Sequence, residues 1–173
     1  DFGSGDYDKI GLFLFTVRNG ALADLKRGSG KVYAEKLMIV EVGQVTPYHF
    51  HWNKVEDIIN RGGGKLVIQL YNSTPDERLA STDVMVSTDG VERCLKAGDK
   101  VVLRPGESIT LPTGLYHQFW GEGSRVLVGE VSTVNDDTGD NRFLTAPGRF
   151  PDIEEDEPAL YPLCSEYRSY FRF

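Results

Sequence analysis

The fold is decided by residues 43–63, which read GQVTPYHFHWNKVEDIINRGG. Two of the chain's three histidines, His49 and His51, stand two residues apart in this stretch, and Glu56 follows them. In an extended strand, residues two apart point to the same face, so both imidazoles can reach one ion. The third histidine comes much later, just after a Pro-Thr-Gly turn. The pattern therefore predicts a single metal site made of His49, His51, Glu56 and His117.

Three neutral imidazoles and one carboxylate form a donor set that suits a divalent ion of intermediate softness. Manganese, iron, cobalt, nickel and zinc all fit, and the ligands alone do not choose among them. One or two coordination positions remain for a bound molecule. The alternative is a histidine cluster without a metal. It does not account for the agreement of strand spacing, carboxylate and third histidine.

Composition limits the functions that this chain can have. Its 173 residues favour one domain over residues 1–173, with 40% hydrophobic and 26% charged residues. A net charge of −7 argues against nucleic acid as a partner, because binding a phosphate backbone normally needs a basic face. The same charge disfavours an anionic membrane surface, and no apolar run reaches the roughly 20 residues of a membrane span.

The two cysteines and the first residue also guide expectations. Cys94 and Cys164 are far apart and form no CxxC motif, which predicts free thiols in a reducing compartment and a cytoplasmic protein. The chain begins at Asp1 rather than at methionine. We expect an N-terminal segment of the full-length protein to be missing.

Short apolar runs separated by turn residues predict an antiparallel sandwich or a small barrel. Asn19-Gly20 after an apolar run predicts a hairpin, and the glycines at 62–64 predict a tight hairpin turn. Helix signals are poor, and the best candidate is the short stretch Lys54–Asn60. The expected fold class is therefore all-β.

Two motifs resemble those of the cupins. In the first, Gly43 is followed after five residues by the histidine pair, after four more by Glu56 and after six more by Gly63. In the second, Gly106 precedes the Pro-Thr-Gly turn by five residues, and His117 follows that turn after two. The second motif usually ends in Asn, where this chain has Gly121. The resemblance implies a cupin-type antiparallel β-barrel (jelly roll) that holds a divalent metal on these ligands.

A closer resemblance covers nearly the whole chain. Residues 49–64 and 129–144 are similar to the signature of the cupin-type D-lyxose isomerases. That family interconverts D-lyxose with D-xylulose, and often D-mannose with D-fructose, using a divalent metal that is typically manganese. Its members usually carry an additional, partly helical N-terminal segment. The resemblance implies a metal-dependent sugar isomerase and a homodimer.

Aldose–ketose isomerisation needs a base that carries a proton between C1 and C2. Val126, Val128 and Glu130 share one face of a strand. If this face looks inward, Glu130 is a buried carboxylate and the predicted base; if it looks outward, Glu130 is a solvated edge residue. Glu56 is a rival base. Lys54 is predicted to polarise a substrate oxygen or shuttle a proton, because a lysine near a cation can have a lowered pKa. A hydride shift is the competing mechanism, and the sequence does not separate the two.

Arg149 is predicted to grip a substrate hydroxyl from a C-terminal loop. A solvated turn residue is the alternative for Lys54, and a surface ion pair is the alternative for Arg142. Asp136, Asp137 and Asp140 indicate a capped loop, although Asp140 could contact sugar hydroxyls. Aromatic residues beside the ligand histidines are expected to pack in the core or at an interface rather than stack on a sugar: Tyr48, Trp52, Phe119 and Trp120.

Two other functions remain open at this point. An iron-dependent cupin dioxygenase would place O2 at the open metal positions, and a non-catalytic sugar-binding cupin would use the same barrel without chemistry. The sequence decides neither the native metal nor the preference between lyxose and mannose, which differ by one CH2OH group.

Overall fold

The protein is described by a computed structural model over residues 1–137 and 139–147. In that part of the chain, one short helix and ten strands follow one another, and the pairings between the strands are antiparallel. The helix is α1 (Leu22–Arg27), and the strands are β1 (Phe13–Arg18), β2 (Tyr33–Val40), β3 (Thr46–Phe50), β4 (Glu56–Asn72), β5 (Val84–Thr88), β6 (Val91–Leu95), β7 (Lys100–Leu103), β8 (Ser108–Leu111), β9 (Leu115–Thr133) and β10 (Arg142–Phe143).

Two long strands, β4 and β9, pair along most of their length and take part in both layers of the fold. The first half of β4 and the second half of β9 lie in the layer β1-β2-β9-β4-β8-β5-β6. The other halves join β3, β10 and β7 in the facing layer. The chain thus has the predicted all-β, cupin-type jelly roll. Its hydrogen-bonded ladder is not closed within the described residues.

The bend that turns one layer over the other lies at glycines in β4. Gly63 has a φ of 94°, and a Cβ atom there would lie 2.0 Å from the carbonyl oxygen of Arg125. A Cβ atom at Gly64 would lie 2.3 Å from the carbonyl oxygen of Ser124. These positions need glycine because β9 approaches the backbone of β4 so closely. The prediction of a hairpin turn here was wrong, since the strand continues through the bend.

Two further local predictions were wrong. Residues 56–60 are the start of β4 rather than part of a helix, because they pair with β9 and β8 on either side. Asn19-Gly20 leads from β1 into α1 instead of forming a tight hairpin turn, although β1 and β2 on either side do pair antiparallel. The Asn19 side chain instead donates to the carbonyl oxygen of Asn135, 2.9 Å away.

The space between the layers is lined by alternate residues of each strand, as the period of a strand requires. Val126 and Val128 are fully buried, whereas Leu127 and Val131 are 43% and 38% exposed. The inward face of β9 is therefore the one that carries Glu130. Within the described residues, no helix is long and apolar enough to cross a bilayer.

Candidate active site

Four potential metal ligands meet between the two layers. His49 lies in β3, and Glu56 is the first residue of β4. His117 in β9 is paired with His49 across the ladder, which brings the two ring centroids to 4.2 Å. These three residues and His51 offer one donor atom each, and the four atoms all lie within 4.8 Å of one another. The group could hold one metal ion.

The three imidazoles are oriented through their Nδ1 atoms. Each Nδ1 contacts a backbone carbonyl oxygen: that of Pro47 for His49 (2.8 Å), of Asp140 for His51 (2.5 Å) and of Leu115 for His117 (3.0 Å). Because a carbonyl oxygen can only accept, the proton of each neutral ring lies on Nδ1, and Nε2 keeps a free lone pair. Within the described part of the chain, the Nε2 atoms of His51 and His117 are buried without a hydrogen-bond donor, and they face Oε1 of Glu56 at 3.5 and 3.1 Å. Such converging lone pairs are what a divalent cation requires.

Protonation of His49 does not compete with metal binding. Burial lowers the pKa of His49 well below its ordinary value, and His117 and His51 lower it further. Burial would raise the pKa of Glu56, but the positive charge of Lys54 outweighs it and holds that pKa well below its usual range. The site therefore combines a neutral imidazole with a carboxylate that stays ionised.

Glu130 faces the same space from β9. Its Oε1 atom lies 2.9 Å from Nζ of Lys54 and 3.2 Å from Nζ of Lys36. Lys54 also contacts Oε2 of Glu56 at 2.6 Å. Both ammonium contacts of Glu130 use Oε1, which leaves Oε2 as the oxygen available to a substrate proton.

The structure places Lys54 inside the site rather than on a solvated turn, since only 3% of its side chain is exposed. Burial by itself would lower its pKa, but the charges of Glu56 and Glu130 outweigh burial and raise it. The expectation of a lowered pKa is thus not met by the surroundings that the chain provides. A charged ammonium suits hydrogen-bond donation to a substrate oxygen.

Lys36 is a site residue that the sequence analysis missed. It is buried on β2, is paired in register with Glu130, and donates to Oδ1 of Asn135 at 2.6 Å. The sequence contained a signal for this role. Every second residue of β2 is buried, and these residues are Ala34, Lys36, Met38 and Val40. A lysine in the inward set of an otherwise apolar strand indicates a buried partner of opposite charge.

Asp140 acts on the backbone of the site. Its carboxylate accepts from the amides of Asn53 and Lys54 at 2.9 Å each, and its carbonyl oxygen contacts His51. These bonds hold the segment between the histidine pair and Glu56. The side chain is occupied by amides and buried, so it supports the site rather than contacting sugar hydroxyls as one prediction suggested.

The ligand cluster opens into a small cavity of about 110 Å³. Its charged wall is formed by Lys36, Lys54, Glu56, Glu130 and Asp137 beside the three histidines. The remaining wall is mostly apolar and includes Leu12, Leu14, Met38, Ile58, Phe119 and Phe143. The cavity thus places a potential base, a cation donor and a metal-binding cluster within reach of one small molecule.

A profile of the D-lyxose isomerases matches residues 1–167. The chain belongs to the D-lyxose isomerase family. Its relatives in the family include the D-lyxose/D-mannose isomerase of Escherichia coli O157:H7, 52% identical over 171 residues that make up 98% of this chain and 74% of the relative. The D-lyxose/D-mannose isomerase of Serratia proteamaculans is 52% identical over 168 residues, 96% of this chain and 73% of that protein.

Solved structures agree with the family's expected fold. The L-ribose isomerase of Cellulomonas parahominis superposes with a TM-score of 0.60 at 19% identity, over 85% of this chain and 80% of that one. The L-ribose isomerase of Acinetobacter sp. DL28, in complex with L-ribose, has the same TM-score, identity and coverage. At this identity the likeness shows the fold alone.

The predictions for the arginines and for the aromatic residues of this member of the D-lyxose isomerase family can now be compared with the structure. Arg149 lies outside the described residues. Arg142 pairs with Glu77 at 2.6 Å, which fits the surface ion pair. The prediction for Phe119 was incomplete: it stands two residues from His117, shares its face and lines the cavity. Trp52 is 44% exposed and donates to Glu77.

Proposed function

We propose that the chain is a metal-dependent aldose–ketose isomerase that interconverts D-lyxose with D-xylulose and D-mannose with D-fructose. One observation supports this most: the convergent Nε2 lone pairs and Glu56 share a cavity with Glu130, a carboxylate that is not among the four potential ligands. Membership of the D-lyxose isomerase family supports the choice of sugars.

His49, His51, Glu56 and His117 would hold the metal, which we propose to be manganese, with iron, cobalt, nickel or zinc acceptable to the same donors. When bound, the cation supplies Lewis-acid stabilisation of the negative charge that develops on the sugar oxygens. The carbonyl contacts at each Nδ1 keep the three rings directed at one point, so the chain provides the ligand geometry in advance.

Glu130 is the proposed general base, which takes the proton from one of the carbons C1 and C2 and returns it to the other. The ammonium groups of Lys54 and Lys36 hold its carboxylate in place through Oε1. Lys54 polarises a substrate oxygen, since it has hydrogen atoms to donate and is buried at the charged wall. We also retain Arg149 as a proposed contact to a sugar hydroxyl. Phe143, six residues before it, lines the cavity.

We further propose that the protein is a cytoplasmic homodimer. The exposed free thiol of Cys94 suits a reducing compartment. The outer faces of β1, β2 and β9 expose large apolar side chains, among them Phe13, Phe15, Leu37 and Leu127. Asp57 and Arg61 are exposed on the neighbouring β4, so a two-fold axis between copies can bring these opposite charges together. Light scattering of the purified protein tests the dimer.

Proton NMR of the manganese-loaded protein with D-lyxose or D-fructose tests the reaction. We expect the partner sugar to form without O2 uptake and to stop forming when a chelator removes the metal. In D2O, deuterium should enter the sugar at C1 or C2, because a base exchanges its proton with solvent whereas a hydride shift does not. O2 consumption with an aromatic diol would favour a dioxygenase, and silence in both assays a binding protein.

A further inference from the structure

Thr46 carries a buried hydroxyl group that no other described residue satisfies. It is the first residue of β3 and only 2% exposed, and its Oγ1 atom has no hydrogen-bond partner. A buried polar group without a partner is unfavourable by about 1–3 kcal/mol, so proteins seldom keep one without a reason. Thr46 lines the same cavity as the metal-ligand cluster.

The other unpartnered atoms suggest that reason. Among the described residues, four buried side-chain polar atoms have no partner, and three of them belong to cavity-lining residues: Nε2 of His51, Nε2 of His117 and Oγ1 of Thr46. The two histidine atoms are free for a cation. By the same reasoning, the hydroxyl of Thr46 is free for a ligand that occupies the cavity.

The position of Thr46 indicates which part of the ligand it meets. Thr46 pairs with Phe119 across the ladder, whereas His49 pairs with His117, two residues earlier in β9. Two residues along a strand correspond to about 7 Å. Thr46 therefore lies away from the ligand pair, beside Phe119, and it supplies the only hydroxyl group among the described cavity-lining residues.

We infer that Oγ1 of Thr46 hydrogen-bonds a hydroxyl group of the sugar beyond C2, and so contributes to recognition of the polyol chain. The inference rests on the proposed isomerase function. A site built to bond a hydroxyl discriminates against a ligand that lacks it, because the protein group is then left unpaired. Thr46 would thus be a specificity residue that neither binds the metal nor moves the proton.

The first test compares three variants on D-lyxose. Thr46→Val removes the hydroxyl with little change in shape and should lower kcat/KM by about 10- to 100-fold, mainly through KM. Thr46→Ser should restore most of the loss. Thr88→Val is the matched control, because Thr88 is also buried with an unpartnered Oγ1 but does not line this cavity. Its kcat/KM should stay within about twofold of wild type.

Stability and metal content separate recognition from folding. Both valine variants should melt at or above the wild-type temperature, since each removes an unsatisfied buried hydroxyl. Both should bind manganese as wild type does. The non-reacting polyol D-arabinitol, measured by calorimetry, should bind more weakly only to Thr46→Val.

Deoxy sugars identify the contact. Among 3-, 4- and 5-deoxy-D-lyxose, the ratio of wild-type to Thr46→Val kcat/KM should fall close to one for a single analogue. An equal ratio for all three, or an unchanged kcat/KM for Thr46→Val on D-lyxose, would overturn the inference. Failure of the wild-type protein to isomerise any of the sugars would instead overturn the proposed function, which is a separate result.

Discussion

The two ends of the space between the layers are both largely buried but chemically opposite. The apolar end is filled by aliphatic side chains that do not line the cavity, such as Val40, Leu66, Leu103 and Val126. The polar end holds Lys36, Lys54, Glu56, Glu130 and the histidine cluster, in which His49 is partly exposed and the other two histidines are buried. Burial stabilises the first end at about 25 cal/mol per Å² of apolar surface, whereas charges at the second end are tolerated only because each has a partner.

This difference indicates that the apolar end contributes mainly to stability and that the polar end carries the chemistry. The same two long strands, β4 and β9, supply residues to both ends. Changes at the apolar end should therefore alter stability and leave the site working, and changes at the polar end should do the reverse. Four variants test this separation, in order of decreasing effect on isomerase turnover.

Loss of a proposed ligand has the largest expected effect. His117→Ala removes one of the convergent Nε2 donors and leaves Glu56 without its nearest histidine contact of 3.1 Å. We expect manganese content to fall from near one per chain to a small fraction, with no detectable turnover. Elemental analysis and NMR assay measure both. Gln118→Ala, on the other face of β9, is the control, and full metal content in His117→Ala would contradict the ligand assignment.

Glu130→Gln should follow. It keeps the shape of the side chain but removes the base, so kcat should drop by about 10²- to 10⁴-fold. Manganese content should stay near one per chain, because Glu130 is not among the proposed ligands. Glu122→Gln changes an exposed glutamate of the same strand and should be neutral. Unchanged turnover would remove Glu130 from the mechanism.

A smaller effect is expected from Asp140→Asn. The change removes the carboxylate that accepts from the amides of Asn53 and Lys54, which loosens the segment that carries His51. Residues in this supporting position typically change metal affinity by about 10- to 100-fold. Titration with manganese measures the affinity, and saturating metal should recover much of the turnover. Asp83→Asn changes an exposed residue and is the control. Its manganese affinity and turnover should equal those of the wild type without added metal.

Leu66→Ala should affect turnover least and stability most. Leu66 is fully buried at the apolar end and does not line the cavity, and its truncation should lower the free energy of unfolding by about 2–5 kcal/mol. Below the melting transition, manganese content and kcat should remain close to wild type. Denaturant unfolding measures the loss, and Leu66→Met, which nearly conserves the volume, should cost less than about 1.5 kcal/mol. A large fall in kcat would show that the two ends are not independent.

The sequence was most informative about functional residues that lie close together along the chain. The histidine pair and Glu56 lie within eight residues, and strand alternation correctly grouped Glu130 with Val126 and Val128, whose side chains the fold buries. The predicted all-β jelly roll and the D-lyxose isomerase family are confirmed. The ligand roles, the single domain and the role of Arg149 stay predictions.

By itself, then, the sequence determined the fold class, the family and the residues able to bind a metal, because these depend on residue type and short spacing. Tertiary structure alone decided that Lys36 and Lys54 share Glu130, that Asp140 supports the histidine segment and that Thr46 faces the cavity. It also made residues 56–60 a strand. The physical reason is strand pairing, since hydrogen-bonded ladders between distant segments choose each residue's neighbours and override weak local preferences.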